Sequence, residues 1–474
     1  MPLHTSKFYI NGQWVAPVSS TATHTLINPA TEQPLATIAL GAADDVDAAV
    51  RAAAAAFPAF SLTTREQRLA YLDKIISIYL RRFDEISDAI VSEMGSPISF
   101  TRTSQTQIGL THFEVMRQVL ASYEFEKPMA NGIVRKEPVG VCGLITPWNW
   151  PANQVVLKVA PAIATGCTMV LKPSEFSPLT ALIIAEIIDE AGLPAGVFNL
   201  VNGTGEGVGT PLTSHPLVDM VSITGSTRAG IAVAQSAAPT IKRVTQELGG
   251  KSANIILNDA DLATAVPQAV GLCYVNCGQS CSAATRLIVP RARLAEVNTL
   301  ARKAAEAYVQ GDPTAESTQL GPVVSQVQYD RIQALLQKGI AEGATLLTGG
   351  PGKPPGHETG YYVKPTLFTD VTENMTIAQE EIFGPVLVII PYDTDDDAVA
   401  IANNSRYGLS GYVSGSLHHA EVIARRMRTG TVNINGTKPH PSLPFGGYKQ
   451  SGNGREKGLY GFEEYLEVKT ISRP

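Results

Sequence analysis

Apolar and polar positions change rhythm along the chain. The first residues come in short runs: Phe8-Tyr9-Ile10 leads into Asn11-Gly12, a dipeptide that favours a tight hairpin turn, and then Gln13-Trp14-Val15. Spacings of three and four follow. They predict a helix from Asp44 to about Phe57, with acidic residues in its first turn as the helix dipole prefers. A second helix is predicted from Thr64 to about Glu93, on Leu69, Leu72, Ile75, Ile76, Tyr79 and Leu80. From residue 139 the order becomes strand, turn, helix. Apolar runs at 139–145, 168–171, 197–201 and 220–224 read as strands, with a helix from Pro178 to Ala191. The pattern restarts at 253–257 and continues at 285–289, 386–391 and 431–434. Such alternation predicts parallel sheets covered by helices, in two α/β domains. Gly349 to Gly360, with its Pro-Gly turn chemistry, reads as a surface connection.

Composition refines this picture by exclusion. A chain of 474 residues is too long for one simple core. Its 44% apolar and 17% charged content suits a folded protein rather than a disordered one. A net charge of -6 gives no electrostatic reason to expect a nucleic acid or membrane partner. The one dense basic cluster, Arg425, Arg426 and Arg428, reads as the solvated face of a helix. The longest apolar stretch, Val155 to Leu171, is broken by Lys158, Pro161 and Gly166, short of the ~20 apolar residues of a membrane span. No apolar segment follows the charge in Met1 to Lys7, so no secretory signal is expected. Five cysteines, with no CxxC pair and no metal-spaced histidines, fit neither a disulfide framework nor a zinc site. A reduced, cytoplasmic, metal-free protein is expected.

Generic motifs are nearly silent about chemistry. Gly278-Gln279-Ser280-Cys281-Ser282 could place a thiol on an exposed turn, although a free cysteine is more often a small buried hydrophobe. Cys142 and Cys167 read that way, and Cys273 and Cys277 precede Cys281 at helical spacing, as if packed beneath it. Glu247-Leu248-Gly249-Gly250-Lys251-Ser252 ends like a phosphate loop, but Thr245 stands where its first glycine belongs. The glycines at 203, 205, 207 and 209 never satisfy GxGxxG, and GxSxG and HExxH do not occur.

The specific signal lies in seven segments in order: Pro147-Trp148-Asn149-Trp150-Pro151, Lys172-Pro173-Ser174-Glu175, Thr224-Gly225-Ser226, Glu247 to Lys251, Gly278 to Cys281, Glu380-Glu381-Ile382-Phe383-Gly384-Pro385-Val386, and Pro444-Phe445-Gly446-Gly447-Tyr448-Lys449. Together they resemble the aldehyde dehydrogenase superfamily over essentially the whole chain. That resemblance implies a Rossmann-type cofactor domain at residues 1–117 and 139–248 and an α/β catalytic domain at 249–446. It implies a small β bridging segment at 118–138 and 447–474, whose last strand, 465–471, would pair across the subunits of a homodimer or homotetramer.

It also implies roles. Cys281 matches the nucleophile, Asn149 the oxyanion-hole amide and Glu247 the base that activates water against a thioester. Lys172 and Glu175 match the pair at the adenosine ribose, where a carboxylate favours NAD while a movable Lys172 still admits NADP. Gly225 and Ser226 would open a helix facing the pyrophosphate. Glu381 and Phe383 match the residues at the nicotinamide ribose and ring, with Trp148 and Leu248 in the same slot. Lys158 and Glu456 resemble a charged pair that relays protons or simply braces the structure. The aldehyde tunnel of the family corresponds to Phe113–Arg117, Asn153–Val156, the flanks of Cys281 and Gly436–Phe445, which leaves apolar aldehydes and semialdehydes both open. Ile223 and Cys277 depart from the usual pattern; under oxidation Cys277 would be placed to pair with Cys281. Glu247 argues against the acylating branch, which uses coenzyme A, and the retained site residues argue against a structural protein without turnover.

Overall fold

The predicted strands assemble two mixed sheets in a computed structural model that describes residues 2–474. The first has eight strands in the order Gly452–Asn453, Arg243–Glu247, Met220–Thr224, Val141–Ile145, Thr168–Lys172, Phe198–Leu200, Phe8–Ile10 and Gln13–Val15. Its five central strands are parallel, and antiparallel strands close both edges. The chain starts at Val141–Ile145, steps outward twice, then returns to lay Met220–Thr224 on the other side of its starting strand. That reversal opens a crevice at the carboxyl ends of the strands, where α/β sheets bind ligands.

The second sheet runs Thr345–Thr348, Thr366–Thr369, Val386–Tyr392, Arg286–Pro290, Ala253–Ile256, Ser410–Ser414 and Thr431–Ile434. A three-stranded sheet pairs Leu466–Ser472 with Gly132–Pro138, and that strand with Glu126–Met129. The last strand is an edge, and Val468 and Ile471 on it are exposed. A hairpin of Thr23–Ile27 and Pro34–Ala39 stands apart from these sheets.

The helix Pro151–Thr165 explains the broken apolar stretch. Nearly every residue in it is buried, so it is apolar all round because it is enclosed, not because it meets lipid. Among the described residues no helix is long and apolar enough to cross a membrane. Two helical expectations need correction. The segment from Thr64 to Glu93 is two helices, Arg65–Arg81 and Phe83–Met94, broken at Arg82. Arg82 donates to Glu85 and Glu186 at the break, which draws the second helix toward Pro178–Glu190. Arg425, Arg426 and Arg428 lie past the end of the helix Leu417–Ala424, in the exposed turn that follows, and Arg426 pairs with Asp396 there.

Arg286 joins the two ends of the second sheet's packing. Its buried guanidinium donates to the carbonyls of Lys251 (2.9 Å), Ile401 (2.8 Å) and Ala402 (2.8 Å), which satisfies the last turn of the helix Asp395–Asn403. We expect Arg286→Met to leave those carbonyls unpaired and to cost about 2–4 kcal/mol. The denaturant midpoint measures this; an unchanged midpoint refutes it.

Candidate active site

Most of the sequence-singled residues converge at the carboxyl ends of the first sheet. A cavity of about 790 Å3 is walled by Trp148, Lys172, Glu175, Gly225 and Ser226. It adjoins a pocket of about 160 Å3 lined by Trp148, Asn149, Gly225, Ser226, Leu248, Cys281, Glu381 and Phe383. The walls follow from the topology: residues 145–148 leave one strand, 172–176 leave its neighbour, and 223–226 leave the strand across the reversal.

Several features make the larger cavity a cradle for a dinucleotide. Ser226 caps the helix Thr227–Ala237, its Oγ accepting from the Ala229 amide, so that helix presents its amino end to the cavity. Gly225 has no atom closer than 3.8 Å to where a side chain would start, and Gly205 has none within 4 Å. Lys172 Nζ lies 3.5 Å from Glu175 and donates to the Pro173 carbonyl, so the pair sits ready at one wall. The turn Gly205–Gly209 also lines the cavity. Those glycines fit no standard fingerprint, because they form a wide helical turn rather than a tight strand-to-helix one.

The segment that carries Cys281 is held by a cage of buried amides. Asn149 Nδ2 donates to the Gln279 carbonyl at 2.9 Å, which fixes the side chain and leaves its second N–H for a ligand. The Asn149 carbonyl accepts from Asn276 Nδ2 (2.8 Å) and Gln105 Nε2 (3.2 Å), and Gln105 also donates to Asn276 Oδ1 (2.9 Å). Gln105 and Asn276 brace Asn149 through its carbonyl, and sequence reasoning missed both. Gly249 and Gly250 serve close approach: a side chain on Gly250 would come within 2.2 Å of the Cys281 carbonyl, and one on Gly249 within 2.7 Å of Glu381. The Gly250 amide donates to Glu381 Oε1 at 2.9 Å, and burial pushes that carboxyl up to about 7.

Phe383 meets Trp148 edge to face, ring centres 5.4 Å apart, from a backbone at φ +61° that a bulky residue rarely adopts. Two further residues of the smaller pocket brace it. Gln328 donates to the Ile382 and Phe383 carbonyls, and Arg331 to the Glu381 carbonyl, all from the helix Gln326–Ala341. Nothing local in the sequence signals that brace, since it crosses some fifty residues of chain.

Electrostatics set the resting state of Cys281 and Glu247. Burial, with Glu381 and Glu247 nearby, pushes the Cys281 thiol up to about 12. Burial and then the charge of Glu456 raise the Glu247 carboxyl well above the usual range, and neither of its oxygens has a hydrogen-bond partner. Glu247 does not face the pocket of Cys281. Its side chain lies in a narrow crevice with Ser222, Arg455 and Glu456, and the bare Gly446 leaves room beside Glu247 Oε1. Lys158 Nζ meets Glu456 at 2.6 Å and Ser222 Oγ at 3.1 Å, so a buried ammonium backs two residues of that crevice.

The expected helical stacking of the cysteines is not what forms. The helix ends at Tyr274, and Asn276 and Cys277 take left-handed backbone conformations. The Cys277 thiol donates to the Gly321 carbonyl and the Cys273 thiol to that of Val386. Gly278 is what requires this path, because any side chain there would strike the Gly384 carbonyl. Among the described residues no cluster could hold a metal ion.

The aldehyde dehydrogenase family pattern matches residues 14–471. A 3-succinoylsemialdehyde-pyridine dehydrogenase from a Pseudomonas species is 53% identical over 98% of both chains. A solved structure of a cysteine-to-alanine mutant of aldehyde dehydrogenase C from Pseudomonas syringae, complexed with NAD+ and octanal, is 54% identical. It covers 100% of this chain and 97% of that one, at a TM-score of 0.98. An NAD+ complex of aldehyde dehydrogenase from Bacillus cereus is 38% identical over 98% of this chain and 96% of that one, at a TM-score of 0.94. Likeness of this depth, end to end, means that the chain belongs to the aldehyde dehydrogenase family and oxidises aldehydes by cysteine-based chemistry.

Proposed function

We propose that this enzyme converts an aldehyde to its carboxylic acid by a hydrolytic route, with NAD as the oxidant and Cys281, Asn149 and Glu247 as the catalytic residues. The observation that carries this reading is the shared pocket. Cys281 and Asn149 line the same small chamber as Trp148, Leu248, Glu381 and Phe383, and that chamber adjoins the large cavity at the strand ends. NAD would lie with its adenosine ribose at Lys172 and Glu175, its pyrophosphate at Gly225 and Ser226, and its nicotinamide end between Glu381 and Phe383. When bound it supplies the two-electron acceptor that takes hydride from the substrate carbon.

The chain's own residues do the rest. Cys281 gives its proton to a water molecule and its sulfur attacks the carbonyl carbon, forming a tetrahedral adduct. The free N–H of Asn149 and the backbone N–H of Cys281 hold the oxygen as negative charge develops on it. Oxidation of that adduct leaves the acyl group on sulfur as a thioester. Glu247 turns from its crevice toward the thioester and takes a proton from water, whose oxygen displaces the thiolate. Glu456 lines that crevice beside Glu247, with Lys158 paired to it, and this pair would pass the proton onward.

Asn149→Ala should lower kcat on the order of 100-fold, about 3 kcal/mol of barrier, with little change in KM. An equal rise in KM would mean that the amide binds substrate and transition state alike.

The exposed edge strand Leu466–Ser472 supports a homodimer or homotetramer in which it pairs across subunits. We extend the proposal to the division into a cofactor domain (1–117 and 139–248), a catalytic domain (249–446) and a bridging segment (118–138 and 447–474), and to a cytoplasmic location. The deciding experiment is NADH formation by purified protein over an aldehyde panel without coenzyme A. Activity only when coenzyme A is present would move the chain to the acylating branch, and none with either would leave a scaffold without turnover.

A further inference from the structure

Cys281 lies in a short turn, and the residue on each side of it is held by an aromatic side chain outside the scheme above. Before it, the Trp150 indole N–H donates to Ser280 Oγ at 2.8 Å. After it, the Tyr412 hydroxyl donates to the Ser282 carbonyl at 2.9 Å. The turn is closed by the Ala283 amide, which donates to the Ser280 carbonyl at 3.0 Å. Cys281 is thus suspended between two anchors.

The anchors come from opposite sheets. Trp150 follows the strand Val141–Ile145 of the first sheet and directly precedes the buried helix Pro151–Thr165. Pro151 opens that helix with its fixed φ, and the Trp150 carbonyl accepts from the Gln154 amide at 2.8 Å. The Phe100 ring stands edge-on to the indole, centres 5.5 Å apart, which fixes the direction of the indole N–H. Tyr412 lies in Ser410–Ser414, an inner strand of the second sheet paired with Ala253–Ile256 on one side and Thr431–Ile434 on the other. Each anchor therefore stands on a rigid part of the fold.

Trp150 also follows Asn149, whose Nδ2 grips the Gln279 carbonyl. Two consecutive residues hold two consecutive residues, and the grip ties the Asn149 amide to the thiol one position further on. The turn has no room to retreat, because its Cys281 carbonyl already fills the space a side chain on Gly250 would need. The arrangement fixes the placement of the thiol relative to the second N–H of Asn149. Attack must set the carbonyl carbon on sulfur and its oxygen on that N–H together, and a displacement of about 1 Å costs on the order of 100-fold in rate.

We propose that Trp150 and Tyr412 are positioning residues that clamp the Cys281 turn from both sheets and hold the thiol in register with Asn149. This rests on the roles given to Cys281 and Asn149 above and adds the device that sets their relative placement. Phenylalanine at either position keeps the ring and loses only the hydrogen bond.

The test reads the NADH burst on rapid mixing with aldehyde, for Trp150→Phe and Tyr412→Phe, each made alone and again in Asn149→Ala. In the otherwise native enzyme each should slow the burst about 10- to 100-fold. In Asn149→Ala, where no amide is left to register with, each should slow it by less than about threefold. Alkylation of Cys281 by iodoacetamide uses the thiol without the oxygen site, and it should stay within about threefold of its native rate. Ser280→Ala should match Trp150→Phe, and the two together should cost no more than either one. An unchanged burst, a burst slowed equally in both backgrounds, or alkylation that falls along with the burst would overturn the clamp. Native protein that gives no burst at all would overturn the roles of Cys281 and Asn149 themselves.

Discussion

Alanine at position 281 is expected to abolish aldehyde oxidation, with a fall in kcat on the order of 10⁵-fold. The size follows from the absence of a substitute. The other four cysteines are buried: Cys142 lies in the first sheet, Cys167 just before the neighbouring strand, and Cys273 and Cys277 donate to backbone carbonyls. None lines the pocket of Asn149. Without the thiol no covalent adduct forms, and a water molecule in the space left cannot be oxidised into a thioester. The thiol's own position, up to about 12, sets the pH behaviour of the native enzyme. Its thiolate fraction rises with pH, so acylation should quicken as pH rises, and that dependence should vanish with the residue. Binding of NAD to Cys281→Ala, followed by fluorescence titration, should persist, because the cavity walls are other residues. Turnover within tenfold of wild type would remove Cys281 from its role.

How much of this was legible in the sequence depended on the range of the interaction. The parallel strands were readable because each is a continuous apolar run buried on both faces, as at Thr168–Lys172. The break at Arg82 was not, because both helices keep apolar residues at helical spacing and no glycine or proline marks the boundary. The hairpin of Thr23–Ile27 and Pro34–Ala39 escaped notice because its partly exposed strands carry no long apolar run. In the site, the named residues came from motifs, and all those expected to face the cofactor line the two adjoining pockets. The amide cage of Gln105, Asn276 and Gln279 left no such trace. Its bonds join positions up to 171 residues apart, and polar partners at that separation produce no periodicity. Cys277 shows the opposite failure: a true spacing of four suggested a helix, but the crowding at Gly278 forces the chain onto another path.

Glutamine at position 247 should separate the two halves of the reaction. The substitution keeps the shape of the side chain and removes its capacity to take a proton. The first half needs only Cys281, Asn149 and the bound dinucleotide, so rapid mixing with aldehyde should still give a burst of NADH near one equivalent per active site. Steady turnover should then fall about 100- to 10,000-fold, the usual worth of a general base. The pH profile carries a second sign. Burial and Glu456 hold the native carboxyl protonated above the ordinary carboxylate range, so hydrolysis should gain rate as pH rises beyond that range and the base ionises. Glu247→Gln should lose that rise in the steady rate, whereas the burst keeps the pH dependence of the thiol. Coenzyme A or hydroxylamine added to the stalled enzyme should release it by taking the acyl group directly. A variant that shows neither burst nor rescue would place Glu247 before thioester formation, as the base that deprotonates Cys281, and would require the carboxylate to reach the nucleophile's pocket from the start.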